Sequence, residues 1–211
     1  MEYVTACYRQ KEAEARIFLT LQQRKYRRKN VSMVGACIAD TREQLISLQN
    51  FIEEECNVID VRKDHQEEGI RERWTEYLAE QKKSVGSFAG ILCMDNKVAL
   101  LGRGNMQICF FFHRFGRTTW KIQTKPCTVG RIEPDTAILL ADHAFLNFTE
   151  SRLTDCLAPG NLREDSLQKM AQGADRHLLE LGKMAEQLGG MHMGAVWILP
   201  VKGGTRGACT K

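Results

Sequence analysis

The segment Glu133-Pro134-Asp135-Thr136-Ala137-Ile138-Leu139-Leu140-Ala141-Asp142-His143-Ala144-Phe145 is the most informative stretch of the chain. Residues 136–141 form an almost wholly apolar run, closed by a proline on one side and an aspartate-histidine pair on the other. Such a run has no polar alternation, so it predicts a strand covered on both faces. A short helix is predicted after it, over Thr149 to Leu157.

Upstream of this strand the pattern is that of an antiparallel meander. Ser87 to Met94 and Lys97 to Leu101 pair around Asp95-Asn96, and Met106 to His113 and Thr118 to Gln123 pair around Phe115-Gly116-Arg117. Downstream, Leu167, Met170, Ala171, Ala174, Leu178, Leu181, Ala185 and Leu188 recur at helical spacing until Gly189-Gly190 stops them. Gly194 to Val201 is the last strand, and 202–211 reads as a frayed tail.

The amino-terminal part begins with strands at 2–8 and 15–22, joined by the charged segment Arg9 to Glu14, and continues with a buried strand at Val31 to Ala39. Thr41 then caps a helix whose Leu45, Leu48, Phe51 and Ile52 share one face, ending near Cys56. The charged stretch Asp60 to Glu68 reads as loop. Ile70, Trp74, Tyr77 and Leu78 mark a second helix ending near Lys83. Antiparallel strands interrupted by helices in pairs, without βαβ alternation, define the α+β class. Two stacked sheets with one helix pair outside each give a four-layer αββα sandwich, expected as a single domain over 1–201.

The chain has 211 residues, 43% of them hydrophobic and 27% charged, the composition of a globular protein with ample core. The formal charge of +4 is too small to imply a nucleic-acid partner. The basic run Arg24, Lys25, Arg27, Arg28, Lys29 around Tyr26 is read as a solvated loop at a hairpin tip. The eight cysteines show no pair at zinc-knuckle or redox spacing and sit mostly in apolar runs. With no secretory signal and no apolar stretch of ~20 residues, a reducing cytoplasm is the expected compartment. Neither a Gly-x-Ser-x-Gly elbow, a phosphate-binding glycine loop nor a His-Glu-x-x-His pair is present.

Three segments, in order, resemble the metal-dependent type-2C (PPM) protein phosphatases. Ser87-Phe88-Ala89-Gly90-Ile91-Leu92 with Gly104-Asn105-Met106-Gln107 is similar to the family's Thr-Ala strand and Gly-Asp-Ser-Arg turn. Glu133 to Phe145 is similar to its Leu-Leu-Ala-Ser-Asp-Gly-Leu-Trp segment, and Gly190 to Ile198 to its long helix's end, Asp-Asn-x-Thr close and final strand. Met33 to Asp40 and Arg9 to Glu14 match more loosely its Asp-Gly-His-Gly-Gly and Arg-x-x-Asn-Glu-Asp segments. The resemblance implies the four-layer sandwich and a phosphate-monoester hydrolase with a dinuclear Mg or Mn centre held by carboxylates.

The ligand positions have changed. Ile38 and Ala39 stand at the Asp-Gly position, Ala13 and Glu14 at the Glu-Asp pair, Asn105 in the Gly-Asp-Ser-Arg turn, and Met191 at the terminal aspartate. Asp142 matches the remaining aspartate, leaving Asp142 and Glu14 as the metal donors the resemblance supplies. Thioether sulfur does not hold Mg or Mn, which take hard oxygen ligands. A register slip would bring into play Asp40, two residues from Ile38, or His192, beside Met191, but a strand slip by two displaces the group by ~6–7 Å. Arg9 matches the phosphate-gripping arginine, with a solvated charge in the Arg-Gln-Lys-Glu turn as the favoured alternative. His143, beside Asp142, and His113 have metal or proton-transfer readings, with loop and structural roles favoured.

The expected function is therefore a bacterial, cytoplasmic pseudophosphatase that binds a protein partner or small ligand and carries no metal. The alternative is a weakly active serine/threonine phosphatase using Asp142, Glu14 and Asp40 with Mn or Mg and with Arg9 as clamp. Nucleic acid and membrane are not expected partners.

Overall fold

The computed structural model describes residues 1–11, 16–26, 29–58, 67–81, 86–114, 117–133, 136–157, 166–191 and 193–201. Residues 202–211, read above as a frayed tail, and 60–66 of the segment read as loop lie outside them, while Glu67 and Glu68 of that segment already belong to a helix. The elements are β1 (Glu2–Arg9), β2 (Arg16–Tyr26), β3 (Lys29–Ala39), α1 (Arg42–Val58), α2 (Glu67–Glu80), β4 (Phe88–Met94), β5 (Lys97–Arg103), β6 (Met106–Arg114), β7 (Arg117–Ile122), β8 (Cys127–Arg131), β9 (Thr136–Asp142), α3 (His143–Leu157), α4 (Leu167–Gln187) and β10 (Gly194–Val201). Two five-stranded antiparallel sheets run β1-β10-β9-β6-β7 and β2-β3-β4-β5-β8.

Strand alternation sorts the apolar runs into separate cores. Ile138 and Leu140 of β9, Val196 and Ile198 of β10, and Ala89 and Ile91 of β4 meet between the sheets. The intervening Leu139 and Trp197 face outward onto α3 and α4, where Leu153, Leu178 and Leu181 cover them. On the opposite outer face Leu92, Phe88 and Met33 pack against Leu48, Ile52 and Trp74 of α1 and α2. This is the four-layer αββα sandwich, and α1 and α4 lie on opposite outer faces as the periodicities require.

Close approach between layers depends on two glycines. A Cβ on Gly35 of β3 would stand 2.5 Å from Ile52 Cγ2, so its absence lets α1 settle on the sheet. On the far side Gly182 of α4 lies against the Tyr8 ring of β1, whose hydroxyl donates to Glu186 Oε1 at 2.6 Å.

Three elements differ from the sequence reading. The helix expected from Thr149 begins at His143, directly after β9. A strand that was not expected, Cys127–Arg131, pairs with the free edge of β5. The basic run read as loop is mostly strand: Arg24, Lys25 and Tyr26 end β2, Lys29 opens β3, and residues 27 and 28 lie outside the described set. Register pairs Tyr26 with Lys29. Backbone hydrogen bonding in a hairpin does not depend on side-chain charge, so the ribbon runs through the basic residues.

Candidate functional site

The strand registers bring the family-like segments to one end of the sandwich. In the first sheet Arg9 is opposite Gly194, Ala195 opposite Ala141, and Met106 opposite Asp142. In the second, Ala39 is opposite Phe88 and Phe88 opposite Arg103. The turn Gly104-Asn105 crosses from the second sheet to the first at this end. Gly104 has φ +71° and its α-carbon lies against the Ser87 side chain, so both backbone shape and space demand glycine there.

Asp142 is the best-defined group at this end, and its partners are all backbone amides. Oδ1 accepts from Phe145 N at 2.7 Å, three residues into α3, which is N-cap geometry. Oδ2 accepts from the Gly194 amide at the start of β10. The carboxylate therefore fastens α3 to β9 and β9 to β10, and it is 7% exposed. Burial pushes its carboxyl above the ordinary value, while amide hydrogen bonds from Phe145, Gly194 and Ala144 pull it down. His143, next along, is exposed and gives its backbone N–H to Asn105 O at 2.9 Å.

Asp40 performs a related closure on the other sheet. Its Oδ2 accepts from Ser87 N at 2.7 Å, and its own amide donates to Ser87 O at 3.1 Å, tying the ends of β3 and β4. Its Oδ1 is buried without a hydrogen-bond partner. Gly86, with φ +134°, lies so close that a Cβ would stand 2.6 Å from that oxygen.

Among the described residues, the other positions where the resemblance places ligands hold no carboxylate. Ile38 and Ala39 are fully buried, Ile38 in the inter-sheet core and Ala39 beneath α1. Met191 is 68% exposed, at the tip before β10. Asn105 is exposed in its turn, and Arg9 is exposed at the end of β1. Gln10, beside it, donates from its backbone N–H to Met193 O at 3.0 Å and accepts at Oε1 from Met193 N at 3.2 Å, pinning the strand ends together. Ala13, Glu14 and His192 lie outside the described residues. His113 is in β6.

A dinuclear Mg or Mn centre needs several carboxylate oxygens converging on open space. Among the described residues no three His, Cys, Asp or Glu side chains cluster as metal ligands. Each oxygen of Asp142 already accepts one amide hydrogen bond, and with no such cluster around it the described donors do not fit that centre. The capping role of Asp142 was missed in the sequence, where the helix was expected only from Thr149; the one signal for it is that Phe145, Leu146, Thr149, Leu153 and Leu157 follow Asp142 at helical spacing.

The fold is that of the PPM, or type-2C, serine/threonine phosphatases. A bacterial serine phosphatase matches with a TM-score of 0.57 at 9% identity, over 97% of this chain and 99% of that one. The serine/threonine phosphatase of S. agalactiae matches at 0.56 and 10% identity, over 95% and 100%. The Mycobacterium tuberculosis serine/threonine phosphatase PstP/Ppp matches at 0.54 and 10%, over 96% and 99%. No protein-family model matches the sequence, and no curated protein matches it. No described helix is long and apolar enough to cross a membrane.

Proposed function

We propose that this chain is a PPM-fold pseudophosphatase, a binding or regulatory domain of a bacterial cytoplasm, with a protein or small ligand as partner. The observation that carries this reading is the use of Asp142: the one aspartate matching a family ligand spends both oxygens on the amides of Phe145 and Gly194. Ile38, Ala39, Asn105 and Met191 supply no carboxylate at their matching positions, which leaves Glu14 as the other carboxylate the resemblance offers. The domain keeps the strand-end architecture while replacing metal coordination by backbone hydrogen bonds as the device that holds those ends together.

The competing reading, a weak Mg- or Mn-dependent serine/threonine phosphatase using Asp142, Glu14 and Asp40 with Arg9 on the phosphate, is favoured by the unpartnered Oδ1 of Asp40. Hydrolysis of p-nitrophenyl phosphate in manganese separates the two. The pseudophosphatase turns over no faster than its Asp142→Asn variant. Manganese-dependent turnover abolished by Asp142→Asn contradicts the proposal, because a metal hydroxide is what that carboxylate would help hold.

A further inference from the structure

The sandwich is not filled to its edge. Strands β7 and β8 are the outermost strands of the two sheets on one side, and between them a cleft of about 250 Å³ reaches into the inter-sheet core. Its floor is apolar: Val98 and Leu100 of β5, Phe110 of β6 and Ile132, all members or neighbours of the inter-sheet cluster. The gap has an identifiable cause on β8. Val129 turns outward to the helices, so Thr128 and Gly130 turn inward. A Cβ built on Gly130 meets nothing within 4 Å, so the side chain that would plug the cleft is absent.

The lip of the cleft is aromatic and cationic. The Phe110 and Phe112 rings are 6.2 Å apart with planes 25° from parallel, and Lys121 Nζ lies 5.1 Å from the Phe112 centroid. Arg131 and Glu133 complete the rim, Arg131 making a long 3.8 Å contact to Glu67. A second hollow of about 240 Å³ shares Gln123 with the first and is lined by Arg103 and Lys125. From 117 to 133 the chain carries Arg117, Lys121, Lys125 and Arg131 against the single acid Glu133. Apolar depth, flat aromatic walls and an excess of positive charge at the mouth define the complementary molecule.

We propose that this cleft binds a small aromatic carboxylate, its ring between the two sheets beside Gly130 and Phe110 and its carboxylate at Lys121. The size suits a body of about a dozen heavy atoms, at the small end of ligand sites. The site lies along the β7–β8 edge, and its occupancy makes no demand on the state of Asp142.

Calorimetric titration of the full chain with cinnamate, and with cinnamyl alcohol as the uncharged companion, tests the assignment. Cinnamate is expected to bind once per chain with a Kd of about 1 mM or tighter, and the alcohol at least about fivefold more weakly. Gly130→Leu fills the gap and should abolish binding of both. Lys121→Gln, a change on an exposed residue that leaves folding unaffected, should bring cinnamate down to the affinity of the alcohol and leave the alcohol unchanged. The proposal is overturned by the absence of saturable binding up to about 10 mM. It is equally overturned by cinnamate binding that survives Gly130→Leu in a variant with an undiminished unfolding transition, or by Lys121→Gln leaving the preference for the acid intact.

Discussion

Replacing Asp142 by alanine removes two things at once. The first turn of α3 loses the oxygen that accepts from Phe145 N, and the buried Gly194 amide loses its acceptor. Loss of an aspartate N-cap costs about 1 kcal/mol. A buried amide left without a partner costs about 1–3 kcal/mol. Asp142→Ala should therefore lower stability by about 2–4 kcal/mol, or about 5–15 °C in Tm for a chain of this size. Asp142→Asn keeps one acceptor oxygen and turns an NH2 toward the second amide, so about half of that loss is expected. Urea unfolding in chelator and in manganese is the assay. A structural carboxylate gives the same loss in both. If Asp142 were instead one of several carboxylates facing an empty metal cage, its removal would relieve repulsion. Wild-type and variant would then be equally stable in chelator and would separate only when manganese is added, and that result refutes the reasoning.

Further outcomes follow from neighbouring contacts. Ile38→Asp, which writes a family carboxylate back into the sequence, puts it into the inter-sheet core; a loss of about 4 kcal/mol or more is expected, and stabilisation of this variant by manganese in the melt would show a receptive site. Gly182→Ala drives a methyl into the Tyr8 ring and should cost about 1–3 kcal/mol, with an unchanged urea midpoint as the adverse result. Burial raises the Asp142 carboxyl, so folding takes up a proton there: the group's contribution is complete below its unfolded value and is lost as pH rises through the higher folded one. The stability of wild type minus that of Asp142→Asn should thus fall as pH rises from about 4, and a difference that is flat or rising across that window speaks against it. Burial also pushes the Cys37 and Cys109 thiols up to about 12, so maleimide should modify the exposed Cys7 in the native state and reach these two only on unfolding.

The two-sheet architecture was legible because its central strands are apolar on both faces. Runs such as Phe88–Met94 and Thr136–Asp142 are buried at every position, and only layers on each side of a sheet can achieve that. The onset of α3 was hidden because His143, Ala144 and Asn147 give its first turns no regular polar face. There the deciding feature is a capping bond from Asp142, made only once β9 has placed the carboxylate. Strand β8 was invisible for a different reason. Cys127–Arg131 is short, follows Pro126 and contains Gly130, so it has little strand propensity of its own and forms because β5 offers an unpaired edge. The location of the candidate site was readable from the order of the family-like segments, which the strand registers gather at one end. The chemistry of Asp142 was not, since a sequence records an aspartate without recording which amides have taken its oxygens.

The most direct test of the account is anomalous scattering at the manganese edge from crystals grown in millimolar manganese. The account predicts no manganese peak within coordination distance of Asp142, whose oxygens remain on the amides of Phe145 and Gly194. A pair of peaks at the shared strand ends, with Asp142 turned from those amides onto the metal, would contradict it.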